Sequence, residues 1–366
     1  MLPVTAEDTT TEAVLPDLYS EQLEASGAQE LWEELPQETK ELLDTLGITG
    51  LEMDSLEGLR PDTMLDSLWQ LLTTSATGPL RSTGILLGIL LLCALIDSLR
   101  QATGGQALPD AFQVIGTLAI GGALLIPING CIQQVCEAAE STTIFMGSYV
   151  PVYAGILLAG GQAASAAAYQ TVVLFAAELM TFLATHVLVP LTTVSLALGI
   201  TGALTPKMKL GAVGGFLNKT TVWVLSLTAT LFVGLLSLQT LVGSAADTLG
   251  NRAIKFSLSS FVPVVGGALS EAFGTVRSCL GLLKGTLGGF GILTTALIVL
   301  PPLLTCMLWS VCLSLCGMAA EMLELRTAAD VLTAVKTVVN TLVGILAACS
   351  LFMIVATTIL TMAGGG

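Results

Sequence analysis

After Gly78 the chain is a succession of apolar stretches joined by short connections, and this succession limits the fold more than any motif does. The stretches run over 82–99, 111–132, 144–160, 171–189, 190–204, 221–243, 286–318 and 336–363. A helix needs roughly 20 apolar residues to cross the hydrocarbon of a bilayer. Membrane-spanning strands would alternate apolar and polar residues; these runs do not, so they must be helices. The expected fold is all-α: a polytopic helical membrane protein with six to eight membrane elements and a small acidic N-terminal helical cap. The stretches 144–160 and 190–204 are short enough to read as half-helices or re-entrant segments. Pro301-Pro302 divides 286–318 into what reads as two short passes.

Charge separates the chain into two parts. Residues 1–78 hold 17 of the 27 acids and two bases, Lys40 and Arg60, a net of −15. The remainder holds 10 acids and 11 bases and is nearly neutral. An acidic segment of this kind argues against nucleic acid or anionic lipid as its partner. Residues 1–17 are Thr/Glu-rich and read as a disordered tail. Val4-Thr5-Ala6 has the small-x-small look of a signal cleavage site, which implies an extracytoplasmic N-terminus. Residues 18–78 read as an acidic extracytoplasmic helical segment. One helix is expected after Pro36, with Glu38 and Glu41 at its positive end, a stripe of Leu42, Leu43 and Leu46, and a stop at Gly47. Another starts near Pro61-Asp62 and carries Trp69 toward the membrane entry.

Lys207, Lys209 and Lys219 make 205–220 the best cytoplasmic loop by the positive-inside rule. Arg252, Lys255, Arg277 and Lys284 fall on the opposite side of the 221–243 span, and the shorter, denser cluster decides the orientation. Segment 247–285 has Pro263, several glycines and scattered serines but no clean apolar run, so it reads as amphipathic or re-entrant, within a glycine-rich transmembrane domain over 79–366.

Glu178 is the most unusual single residue, because a charge within a span costs several kcal/mol and marks function or a buried partner. Thr181 and Thr185 share its face, and His186 is the one histidine of the chain. His186 lies about 12 Å further along the axis, too far to touch Glu178 within one helix. Two readings stay open: a polar pathway lined by Glu178, Thr181, Thr185 and His186, or a neutral Glu178 bonded to a neighbouring helix. Gly84/Gly88, Gly211/Gly215 and Gly281/Gly285 are small-xxx-small pairs, which let helices approach closely in lipid, either within one protomer or between subunits.

The eight cysteines lie in or beside apolar stretches and read as small buried hydrophobes, with a Cys131–Cys136 disulfide as the alternative. No phosphate-binding loop, zinc-protease motif, nucleophile elbow or paired-cysteine metal spacing is present, so no cofactor, metal site or catalytic residue is assigned. A Ser/His hydrolase would have only His186 to draw on.

One stretch carries a family likeness. Arg252-Ala-Ile-Lys255-Phe256, followed by Phe261-Val-Pro263-Val-Val-Gly266, resembles the signature of the stage III sporulation protein AE family. Leu238-Gln-Thr, Ser244-Ala-Ala-Asp-Thr, Lys209 through Asn218-Lys219, Val189-Pro190-Leu191 and Leu35-Pro36 fit the same pattern, from about residue 30 onward. The resemblance implies an integral membrane subunit of the channel or secretion-like complex that joins mother cell and forespore in endospore formation. It implies other membrane subunits of that complex, a cytoplasmic ATPase and intermembrane ring proteins as partners, and a place in the mother-cell membrane around the forespore. A homo-oligomeric ring is also open to such a subunit. The competing reading from the residues alone is a secondary transporter with Glu178 and His186 on its path.

Overall fold

The computed structural model describes residues 23, 26–48, 50, 61–103, 109–205, 210–261 and 266–363, with the side chains of 61–63, 100–103, 109–113, 251, 253–261, 266–277, 360 and 362–363 outside that description. Among the described residues every regular element is helical. Two short helices, α1 (Ala28–Glu33) and α2 (Gln37–Thr45), precede the long ones: α3 (Pro61–Thr103), α4 (Pro109–Ala159), α5 (Ala163–Phe182), α6 (Val189–Leu204), α7 (Leu210–Phe261), α8 (Gly266–Met322) and α9 (Arg326–Ala363). A π-helical turn, Leu183–Leu188, joins α5 to α6 without a break. Six helical stretches are long and apolar enough to cross a membrane. The protein is thus an all-α polytopic membrane protein.

The short stretches 144–160 and 190–204 are not half-helices. The first is the last third of α4, and the second continues α5 through the π turn. Nor do the two prolines split 286–318, since α8 runs through Pro301 and Pro302 unbroken. Each proline removes one backbone donor, and tightly packed neighbours hold such a helix together where an isolated one would bend. The helix expected after Pro36 is α2. It ends at Gly47, whose φ of 81° is the left-handed conformation that stops a helix cheaply.

Close contacts fix the helices side by side in antiparallel order. A Cβ added at Gly116 of α4 would lie 2.5 Å from Cys93 Sγ of α3, and one at Gly291 of α8 would lie 2.5 Å from the Tyr149 ring of α4. Gly199 of α6 similarly abuts Ala334 of α9 at 2.7 Å, and Gly202 abuts the backbone of Gly211 at 2.6 Å. Ser310 of α8 donates to Asn340 of α9 at 2.6 Å. These glycines are not the expected ones. An added Cβ at Gly84, Gly88, Gly211, Gly215, Gly281 or Gly285 would meet nothing within 4 Å. The i, i+4 spacing places two small residues on one face, but it does not say that the face turns inward.

A column of six rings crosses the core. Trp32 (α1), Phe290 (α8), Phe145, Tyr149 and Tyr153 (α4) and Tyr169 (α5) follow one another at centroid distances of 5.4–6.3 Å. Each such pair contributes about 0.5–1.5 kcal/mol beyond burial. Tyr149 also donates to the Leu287 carbonyl at 3.1 Å, which satisfies its hydroxyl away from water. The eight cysteines are free and none is exposed. Cys131 and Cys136, five residues apart on α4, point about 140° away from each other at 100° per residue, so the disulfide alternative is excluded by geometry.

Candidate functional site

Three polar features stand out against the apolar bundle. The first is a cavity of about 1030 Å³ between α2, α3, α4 and α8. Glu38 and Glu41 of α2, Gln70 and Thr74 of α3, and Gln134 and Glu137 of α4 line it, against Pro301, Pro302 and Thr305 of α8. On α8 no charged residue occurs from Gly285 to Ala320, a rise of about 54 Å, and the two prolines sit at its middle. Glu137 therefore stands at mid-depth of an apolar bundle, beside acids from the N-terminal segment. That segment does not sit on the end of the bundle. It lies along its flank, with Trp32 against Phe290, Glu34 accepting from Ser148 of α4, and α2 level with Pro301.

A second polar feature lies where α4 turns into α5. The Asp247 carboxylate, on α7 and 8% exposed, accepts from the backbone N–H of Ala164 at 2.9 Å and of Ser165 at 3.0 Å. These are first-turn donors that α5 cannot satisfy itself. A carboxylate there also meets the positive end of the helix dipole. Close approach is needed for this, and Gly243, one turn earlier on α7, supplies it: a Cβ there would sit 3.1 Å from Ser165 Cα. Lys284 of α8, equally buried, donates to Gln162 Oε1 in the same turn at 3.2 Å. One connection thus ties α5, α7 and α8. Sequence reasoning used Lys284 only as a topological charge and Asp247 only as part of a pattern. The usable signal was a lone acid among small residues (Ser244-Ala-Ala-Asp247) at the end of a long apolar run.

The third feature contains the polar residues singled out above. Thr181 hydrogen-bonds Thr143 of α4 and reaches the Ala139 carbonyl at 3.3 Å. Thr185 donates to the Thr181 carbonyl at 2.9 Å and its hydroxyl lies 2.8 Å from His186 Nδ1. The His186 ring stacks on Phe182 at 4.9 Å between centroids. Glu178 and His186 are both exposed on the outer wall of the bundle, and among the described residues no hydrogen bond reaches the Glu178 carboxylate. The structure thus brings Thr181 into the α4–α5 seam, bonds Thr185 back to its own helix and leaves the two ionisable groups on the outer wall. The π turn has a local cause. Pro190 cannot donate to the His186 carbonyl, and its ring crowds that oxygen. The preceding turn widens instead, and Val189 N–H bonds back to the Ala184 carbonyl, five residues away.

The family-signature stretch forms the connection between α7 and α8. Arg252 is exposed near the end of α7, Lys255, Phe256 and Phe261 belong to its last turns, Gly266 opens α8, and Pro263 lies outside the described residues. Residues 247–261 and 266–285 are thus the continuous ends of two long helices.

The sequence profile described as "Stage III sporulation protein AE" matches residues 52–364. The chain belongs to the stage III sporulation protein AE family. A curated member, stage III sporulation protein AE of Bacillus subtilis (strain 168), is 27% identical over 293 residues, covering 79% of this chain and 73% of that protein. No solved structure matches the chain significantly. The match spans α3 to α9, so the resemblance read from the signature extends over the whole bundle.

Proposed function

We propose that this chain is an integral membrane subunit of the channel or secretion-like complex that joins mother cell and forespore during endospore formation. One observation carries the reading beyond family membership: the acid-lined cavity at mid-depth. A bundle surrounded only by lipid cannot present Glu38, Glu41 and Glu137 at that height, because an ionisable group facing hydrocarbon costs several kcal/mol. Water or protein covers this flank, and a subunit beside an aqueous path meets both conditions. At about 30 Å³ per molecule, the cavity has room for roughly thirty waters.

In this reading the end carrying Lys207 and Lys209 faces the mother-cell cytoplasm, where an ATPase would act, and the turn at 160–162 faces the space between the membranes. The N-terminal segment enters from that space and shields the wet flank. Other membrane subunits and intermembrane ring proteins are its partners. The transporter reading requires Glu178 and His186 on an internal path, and their position on the outer wall gives it no support. The test is isolation of the affinity-tagged chain from sporulating cells under mild detergent. Co-isolation of the other stage III membrane subunits is expected. The proposal fails if the chain isolates alone and spores form normally without it.

A further inference from the structure

A second cavity, of about 460 Å³, opens between α6, α7 and α9 at the end where α6 leads into α7. Its floor is made of small residues, Gly199 and Gly202 among them, and its walls are α7 and α9. Two groups of glycines line it for different reasons. Gly199, Gly202 and Gly214 are required by packing, since an added Cβ would lie 2.6–3.0 Å from a neighbour. Gly211 and Gly215 are not, since nothing stands within 4 Å. Glycine in a helix costs about 1 kcal/mol relative to alanine. The open space on the Cβ side of these two glycines keeps the cleft open, while the Gly211 backbone receives the close approach of Gly202.

Three side chains in the cleft can accept a further hydrogen bond. Ser195 spends its hydroxyl proton on the Gly214 carbonyl at 2.7 Å, and Thr337 spends its own on the Thr333 carbonyl at 2.8 Å. Asn218, 5% exposed, has a side-chain oxygen with no partner. Rotation about its last bond exchanges the amide nitrogen for that oxygen at the cleft. Asp330, exposed at the mouth, adds a carboxylate about 10 Å from Thr337 along α9. A group that donates hydrogen bonds, carries positive charge and is narrow enough for a glycine-walled slot suits these acceptors and the carboxylate at the mouth.

We propose that this cleft binds a primary ammonium group on a slender chain. Its charge is drawn in by Asp330, and its N–H groups are taken by Asn218, Ser195 and Thr337. A soluble linear amine and the lysine side chain of a partner protein share this chemistry.

The test uses the purified full chain in lipid nanodiscs, with n-butylammonium, which reproduces the lysine side chain, followed by ligand-observed NMR. Tetramethylammonium has the same charge and no N–H, and is expected not to bind. Gly215→Val fills the slot and Asn218→Leu removes the orphaned acceptor; each is expected to weaken butylammonium at least tenfold. Asn218→Asp keeps the shape, adds charge and is expected to tighten it. Gly234→Val, on an open face of the same helix away from the cleft, is the control and leaves binding unchanged. A photo-crosslinking residue at position 215 in sporulating cells separates the sources. A crosslink that is lost when one lysine of the captured protein is replaced by methionine assigns the ammonium to a partner; amine binding without such a crosslink assigns it to a soluble amine. The proposal is overturned if butylammonium does not bind the unmodified chain, if tetramethylammonium binds equally, or if the valine, leucine and aspartate variants all bind as the unmodified chain does.

Discussion

Replacing Asp247 with alanine tests whether one carboxylate on α7 holds the start of α5 in place. The substitution strands the backbone N–H groups of Ala164 and Ser165, which Asp247 now binds at 2.9 and 3.0 Å. A hydrogen bond to a charged group contributes about 1.5–3 kcal/mol, and an orphaned buried donor costs about 1–3 kcal/mol. Water can reach part of an 8% exposed site, so the two bonds together should be worth about 3 kcal/mol. In a chain of this size that corresponds to a fall in Tm of roughly 5 °C. Six buried cysteines supply the assay: a thiol-reactive dye becomes fluorescent as detergent-solubilised protein melts, above the baseline set by the half-buried Cys93 and Cys136. Asp247→Asn keeps an acceptor and loses the charge, so it should fall about halfway between. A Tm for Asp247→Ala within 1 °C of the unmodified protein, a change of about half a kcal/mol or less, would refute the reasoning, because the α5 donors would then have found other partners at no cost.

Further outcomes follow from the same packing. Gly291→Ala drives a methyl into the Tyr149 ring and should destabilise by about 1–3 kcal/mol, whereas Gly281→Ala, in open space, should stabilise by up to about 1 kcal/mol; the dye melt reads both. Glu137→Cys should react in native membranes with a charged, membrane-impermeant thiol reagent, and Leu351→Cys, on an exposed apolar face of α9, should not; equal protection of both would remove the wet flank. Glu178→Gln should raise the Tm rather than lower it, since it removes from the outer wall a carboxylate bonded to nothing described, and a charge facing hydrocarbon is costly.

The apolar stretches were enough to read the class, because lipid leaves helices as the only open structure for such runs. Boundaries were harder. Length alone made 144–160 and 190–204 look incomplete, and neither the proline count nor hydropathy shows that neighbours carry a helix through Pro151, Pro190 or Pro301. Glu178 drew attention because it is charged, yet its position on the outer wall follows from which side of α5 packs on α4, and that is decided by residues elsewhere. Asp247 and Lys284 escaped because their roles exist only between helices 83 and 122 residues apart in sequence from their partners. The close-packed glycines escaped for the same reason, since a face is visible in one helix and a contact needs two.

The widened turn before Pro190 leaves a record in the spacing of buried side chains. Met180, Ala184, Leu188, Thr192 and Leu196 are all buried and follow one another at intervals of four. In a uniform α-helix such a series would wander about 40° at each step and carry Leu196 well away from the side that Met180 occupies. One turn of i→i+5 bonding winds the series back. The phase of α6, and with it the meeting of Ser195 with Gly214, thus depends on a single surplus residue upstream. Deleting one residue between Leu183 and Leu188 would rotate everything downstream by about a quarter turn, parting those two residues while leaving every apolar stretch long enough to cross the membrane.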